Sequence, residues 1–151
     1  MQIKKYRLDY NQRTEEFGRT LYRIVALADF GNVTTGDQGG YIESEENLSP
    51  YGNAWVYDNA RVYGNARVYD YAELYGNAEA TKLCITVRTR EYYCTISDKH
   101  IAIGCKNYTF PEWENFTEEE ISEMDTNAWE WWTQWKPILF EILKVENKVK
   151  T

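Results

Sequence analysis

Residues 51–80 read Tyr51-Gly52-Asn53-Ala54-Trp55-Val56, Tyr57-Asp58-Asn59-Ala60-Arg61-Val62, Tyr63-Gly64-Asn65-Ala66-Arg67-Val68, Tyr69-Asp70-Tyr71-Ala72-Glu73-Leu74 and Tyr75-Gly76-Asn77-Ala78-Glu79-Ala80. Ala54, Ala60, Ala66, Ala72 and Ala78 recur every six residues, and Val56, Val62, Val68 and Leu74 follow two places behind. A two-residue offset puts both side chains on one face of a strand, here taken as the inside. The Gly-Asn or Asp-Asn pair before most of the alanines is turn chemistry that tolerates left-handed backbone angles. The inside phase extends beyond the clear repeats, to Ile42 and Leu48 before them and Cys84 after them.

A fixed six-residue period is the mark of a parallel β-helix. The repeat resembles the hexapeptide-repeat left-handed β-helix family, in which three hexads complete one triangular coil. That geometry would stack residues eighteen apart at roughly 4.8 Å. Tyr51 would lie under Tyr69, Tyr57 under Tyr75, Asn59 under Asn77, and Arg61 would meet Glu79 as an ion pair. A set of short antiparallel hairpins would carry the same alternation and is the competing arrangement. Five hexads make fewer than two coils, too few to bury their own ends, so the flanking chain should cap the array.

The expected fold class is therefore mainly β with C-terminal helices: a short left-handed parallel β-helix capped by N-terminal strands, a β-meander and a Trp-rich helical segment. One domain, 1–151, would divide into N-terminal strands (1–40), β-helix (41–85), meander (86–108) and helical region (109–151). A first strand is expected around Ile3–Leu8 and a second over Thr20–Leu27. A short segment from Val33 should be broken by Gly36-Asp37 and Gly39-Gly40. Leu83, Ile85 and Val87 alternate, Tyr92–Ile96 returns as a hairpin strand, and Ile101, Ile103 and Cys105 alternate on another. Thr109-x-x-Glu112 and Thr117-x-x-Glu120 are capping boxes. Asp125 or Thr126 can cap a longer helix that Pro137 should kink or restart.

Charge and composition narrow the function classes. The formal net charge is −7. Residues 41–81 carry seven acidic and two basic side chains, and 111–151 carry ten and four. No large basic face is available to follow a phosphate backbone, so direct nucleic-acid binding is disfavoured. No apolar run reaches transmembrane length, and the sequence reads as cytoplasmic, without a membrane partner. Cys84, Cys94 and Cys105 are an odd number without CxxC spacing, each in a strand-like segment, and are best read as buried free thiols.

Catalytic motifs are sparse. Gly31 to Gly36 has the glycine spacing of a phosphate loop, but Asp37 stands where the lysine belongs and would repel phosphate. Hexapeptide β-helices are best known as acyltransferases with a histidine base beside a coenzyme-A groove. The only histidine, His100, falls outside the repeat. No metal-ligand spacing, catalytic set or cofactor site emerges, and the sequence reads as non-enzymatic.

What is left is surface recognition. Trp55, Arg61, Arg67, Glu73 and Glu79 share one outward register beside the tyrosine column, and aromatic and arginine side chains are the usual substance of hot spots. The candidate partner-binding residues are Trp55, Tyr57, Arg61, Tyr63 and Arg67, with Trp129 and Trp132 of the tryptophan-rich helix.

The stretch from Thr20-Leu21-Tyr22-Arg23-Ile24 through Gly36-Asp37-Gln38-Gly39-Gly40-Tyr41-Ile42-Glu43-Ser44-Glu45 resembles the opening of small bacteriophage hexapeptide-repeat proteins. The Tyr-Gly-Asn-Ala repeats and the segment Ile101-Ala102-Ile103-Gly104-Cys105 through Thr109-Phe110-Pro111-Glu112-Trp113 extend that likeness. It implies a phage or prophage accessory protein expected to engage a host protein and inhibit antiviral defence, and offers no catalytic residues to carry over. Sequestration of a nucleotide-like or sugar ligand, a structural virion role and homo-oligomerisation are the open alternatives.

Overall fold

The computed structural model of the chain describes residues 4–82, 84–146 and 148. Ile3, where the first strand was expected to start, and Leu83, at the head of the expected alternation, lie outside the described residues. The chain divides into two compact units, Met1–Asn107 and Tyr108–Thr151.

The first unit begins with a hairpin, β1 (Tyr6–Glu16) and β2 (Arg19–Ala26), turned at Phe17 and Gly18. Strand β3 (Gln38–Ile42) lies antiparallel to β2. The repeats contribute strands of two residues: β4 (Trp55–Val56), β5 (Arg61–Val62), β6 (Glu73–Leu74) and β7 (Glu79–Ala80). Then come β8 (Ile85–Arg88), β9 (Tyr93–Ile96), β10 (His100–Ile103) and β11 (Lys106–Thr109).

This topology corrects the expected fold class. The described strands form three separate sheets: a mixed one in the order β1-β2-β3-β5-β7, an antiparallel one in the order β11-β10-β9-β8, and a parallel pair β4-β6. No solenoid sheet runs through the described residues. The physical reason lies in the length of the pieces. Each hexad yields at most a two-residue strand, and β5 and β7 join the end of a sheet started by the much longer β1–β2 hairpin. The third hexad supplies only a single bridge, Leu48 to Val68.

The eighteen-residue register appears in local pairings, Trp55 with Glu73 and Arg61 with Glu79, both parallel. Tyr57 and Tyr75 stack with centroids 5.0 Å apart. The ion pair of Arg61, however, is made with Glu16 of β1 and not with its strand neighbour Glu79.

Turn chemistry explains the repeat's geometry. The second residue of every hexad has positive φ, at Gly52, Asp58, Gly64, Asp70 and Gly76. Aspartate is among the few side chains that enter this region at modest cost. Carboxylates from elsewhere hold two of the turn amides: Gly64 N–H donates to Glu43 Oε1 at 2.9 Å, and Gly76 N–H to Asp58 Oδ2 at 3.1 Å. The inside positions are all buried. Ala54, Ala60, Ala66, Ala72 and Ala78, with Val56, Val62, Val68, Leu74, Ile42, Leu48 and Cys84, belong to one apolar cluster.

Buried and half-buried polar side chains satisfy the backbone at the ends of this cluster. Lys5 Nζ donates to the carbonyls of Tyr51, Gly52 and Ala54. Asn47 Nδ2 donates to Gly64 and Ala66, twelve residues further on and in the same hexad phase as Gly52 and Ala54. Downstream, Asp98 accepts from Thr81 N–H and Oγ1–H, and Asn107 Nδ2 donates to Tyr75 O at 2.8 Å. An orphaned buried carbonyl would cost about as much as a lost hydrogen bond, so these contacts close the array.

Gly39 and Gly40 were expected to interrupt the chain but lie inside β3. A Cβ on Gly39 would sit 2.4 Å from Val56 O, and one on Gly40 would sit 2.6 Å from Ala60 O. The pair serves close backbone approach and not a turn.

The second unit has α1 (Phe110–Asn115), α2 (Glu118–Ser122) and α3 (Ala128–Val145). Both capping boxes form, Thr109 with Glu112 and Thr117 with Glu120. The cap of α3 is Asn127 in the left-handed region, which replaces Asp125 or Thr126. The helix is also continuous through Pro137. Pro137 and Thr133, whose carbonyl loses its N–H partner, are both exposed, so water can replace the missing bond. Trp113, Trp131 and Trp132 are buried, and Trp113 meets Trp132 at 5.1 Å. Trp129 and Trp135 are half-buried. No helix of the described residues is long and apolar enough to cross a membrane.

Candidate functional site

The first unit holds an open cleft of about 730 Å³. Phe30 and Val33 form one wall through a tight turn in which each backbone N–H donates to the other's carbonyl. Trp55, Tyr57 and Asp58 come from the first two hexads, and Tyr71 and Glu73 from the fourth. Tyr93 of β9 and Cys105, in the turn after β10, complete the opposite side.

The repeat explains the convergence. Parallel pairing sets Trp55 beside Glu73. Tyr71 stacks on Tyr93, centroids 5.1 Å apart and planes 11° from parallel, which ties the fourth hexad to the antiparallel sheet. The Arg88 guanidinium lies over both rings, at 4.9 and 5.3 Å. Phe30 meets Trp55 edge-on at 5.1 Å.

Among the described residues three carboxylates line the cleft, Asp37, Asp58 and Glu73, and no basic side chain does. Burial raises the Glu73 pKa. Burial and then the charges of Glu73 and Asp58 push the Tyr57 phenol up. At neutral pH the site therefore offers un-ionised phenols, ring faces and negative charge. The described lining residues offer a phosphate or sulfate no counter-charge, the nearby Arg88 being engaged on the Tyr71 and Tyr93 rings, and His100 is not among them.

The sequence-derived candidates scatter. Trp55 was expected outward but is 4% exposed, covered by Phe30 and Tyr6. Trp55 and Tyr57 are the two that meet in the cleft. Arg61 is half-buried against Glu16, and Tyr63 is buried with Arg19 over its ring at 6.0 Å. Arg67 is exposed. In the second unit Trp132 is buried and Trp129 half-buried. Sequence reasoning missed Phe30, Tyr71, Glu73, Tyr93 and Cys105 as a group. One signal was available: at the third hexad position, where the other four repeats carry asparagine, the fourth carries Tyr71.

The cysteines differ sharply in access. Cys84 and Cys94 are buried as expected, but Cys105, expected to be buried on a strand, lies in the turn after β10 and is exposed. Burial pushes the Cys94 thiol up to about 12, far from the reactive thiolate. Native alkylation is expected to label Cys105 first, and alkylation after denaturation to give three labels per chain by mass spectrometry. Rapid native labelling of Cys94 would contradict the buried placement.

No known family profile matches the chain. It is 40% identical over 63 residues to an uncharacterized acetyltransferase, YdcK, of Escherichia coli (strain K12). The match takes in 37% of this chain and 19% of that protein, so the chain spans about a fifth of the length of the curated relative it matches.

Proposed function

We propose that this protein is a non-enzymatic binding protein that sequesters a small ligand in the aromatic cleft. The observation that supports it best is the cleft itself. Its volume of about 730 Å³ falls within the range of small-molecule sites, and its walls pair ring faces with a few polar groups. Ring stacking against a preformed wall costs little ordering entropy. The partial likeness to an acetyltransferase raises acetyl transfer as the competing activity. The diphosphate of coenzyme A is a poor fit to a site with three carboxylates and no base.

A second reading keeps the resemblance to bacteriophage proteins: engagement of a host protein, with inhibition of antiviral defence as the outcome. It is favoured by Phe17, 86% exposed at the β1–β2 tip, and by Tyr10, 63% exposed on the same hairpin. An exposed aromatic at a hairpin tip, with a second farther along the strand packed on Tyr22, is suited to protein contact.

The test is thermal unfolding of the purified protein against nucleosides, monosaccharides, small amines and acetyl-coenzyme A, repeated with Tyr71→Ala. A stabilising small ligand whose effect is lost in Tyr71→Ala supports sequestration. Stabilisation by acetyl-coenzyme A with turnover of its thioester would overturn the non-enzymatic reading. Capture of a host protein that depends on Phe17, with no cleft ligand, would replace the first reading by the second.

A further inference from the structure

We infer that the group the cleft recognises is an organic cation, an alkylated ammonium. This rests on the cleft being the binding site, and it narrows the ligand class within that reading. The first argument is charge. Among the described residues Asp37, Asp58 and Glu73 line the cleft without a basic residue, so the lining repels an anion and attracts a cation.

The second argument is what the same rings already do. Arg88 lies over Tyr71 and Tyr93, and Lys5 Nζ lies 4.9 Å from the centroid of Phe30. Three rings of the wall are thus placed to hold cations from the chain itself. Ring faces attract cations through their quadrupole, most strongly where water is partly excluded.

The third argument separates an organic from an inorganic cation. Metal ions require several converging oxygen, nitrogen or sulfur ligands. Among the described residues no group of three His, Cys, Asp or Glu side chains could hold one. An alkylated ammonium sheds water readily, spreads its charge over methyl groups, and is satisfied by ring faces plus one or two carboxylates. Glu73, on the strand beside Trp55, is the carboxylate placed among the rings. Its raised pKa is what an unneutralised carboxylate in such a wall should show.

The experiment uses Cys105, which lines the cleft and is exposed, as the reporter. Its alkylation rate is followed with choline, with 3,3-dimethyl-1-butanol as the uncharged isostere, with a trimethyllysine peptide, and with the nucleosides and sugars of the thermal screen. Choline is expected to slow alkylation, and the isostere to require at least about tenfold higher concentration, the worth of one strong cation–ring contact. Glu73→Gln and Tyr71→Ala, each checked for folding by circular dichroism, should each weaken choline protection at least about fivefold. Protection by choline assigns the ligand to free small cations. Tighter protection by the peptide assigns it to a methylated side chain, and either supports the inference. Equal protection by choline and its isostere, or protection by neutral ligands alone, overturns the cation while leaving the cleft as the site. Failure of every probe to protect Cys105 overturns the cleft reading as well.

Discussion

Replacing Lys5 with alanine is expected to lower the stability of the first unit by about 3–5 kcal/mol, a large fraction of what a small domain possesses. Lys5 is 3% exposed, and its ammonium donates to Tyr51 O at 3.3 Å, Gly52 O at 3.2 Å and Ala54 O at 2.6 Å. Removing it leaves three carbonyls at the head of the repeat without their donor, together with a void under Phe30. Lys5→Met separates the two effects, since it fills the space but donates nothing. A urea midpoint for Lys5→Met close to wild type would show that the hydrogen bonds contribute little.

The same residue predicts a pH effect of definite sign. Burial lowers the Lys5 pKa to about 8, below its unfolded value of roughly 10.4. Between these values the unfolded chain binds the proton more tightly, so the penalty for burying the charge is complete below pH 8 and is relieved as pH rises toward 10. Tyr6 acts in the opposite direction at higher pH, because burial raises its phenol to about 12 and that contribution is lost above roughly pH 10. Wild type should therefore gain stability between pH 8 and 9.5 relative to Lys5→Met. A flat difference over that range would mean that the three carbonyls hold the ammonium charged throughout.

Much of the interior was legible because its signal is local and periodic. The alanine and valine columns need only the two-residue strand period to be assigned inward, and all are buried. The capping boxes are equally local. What failed depended on distant chain. Trp55 alternates outward within its own strand, but Tyr6 and the Phe30 turn, far away in sequence, fold over it. Gly39-Gly40 resembles a turn until β3 is seen to pass against Val56 O and Ala60 O. β11 could not be read from alternation, since all four of its residues are half-buried. The assembly into three sheets was hidden for a related reason. Which neighbour a two-residue strand joins is decided by the longer strands beside it, not by its own sequence. The cleft collects side chains from hexads, a hairpin and a turn, and only Tyr71 departed visibly from its repeat.

Ala66→Asp is expected to unfold the first unit outright. Ala66 is 1% exposed, its carbonyl accepts from Asn47 Nδ2 at 2.8 Å, and its methyl belongs to a column of alanines selected for size. A carboxylate there would enter an apolar cluster with no cation in it, costing several kcal/mol, and the larger side chain would also strain the packing. Charge and volume can be told apart. Ala66→Asn carries nearly the same volume without the charge and should be less damaging at neutral pH. The buried aspartate's pKa would rise above its unfolded value of roughly 3.9, so the deficit of Ala66→Asp should shrink as the solution is acidified toward that value, whereas that of Ala66→Asn should not. The adjacent Arg67 faces solvent, and Arg67→Asp, a larger change in charge one residue away, should move stability by no more than about 0.5 kcal/mol. Circular dichroism and urea midpoints for the three variants decide the matter. If Ala66→Asp unfolds no more readily than Arg67→Asp, the alanine column is not the interior of this protein, and the alternation that places every other residue of the repeat has been read in the wrong phase.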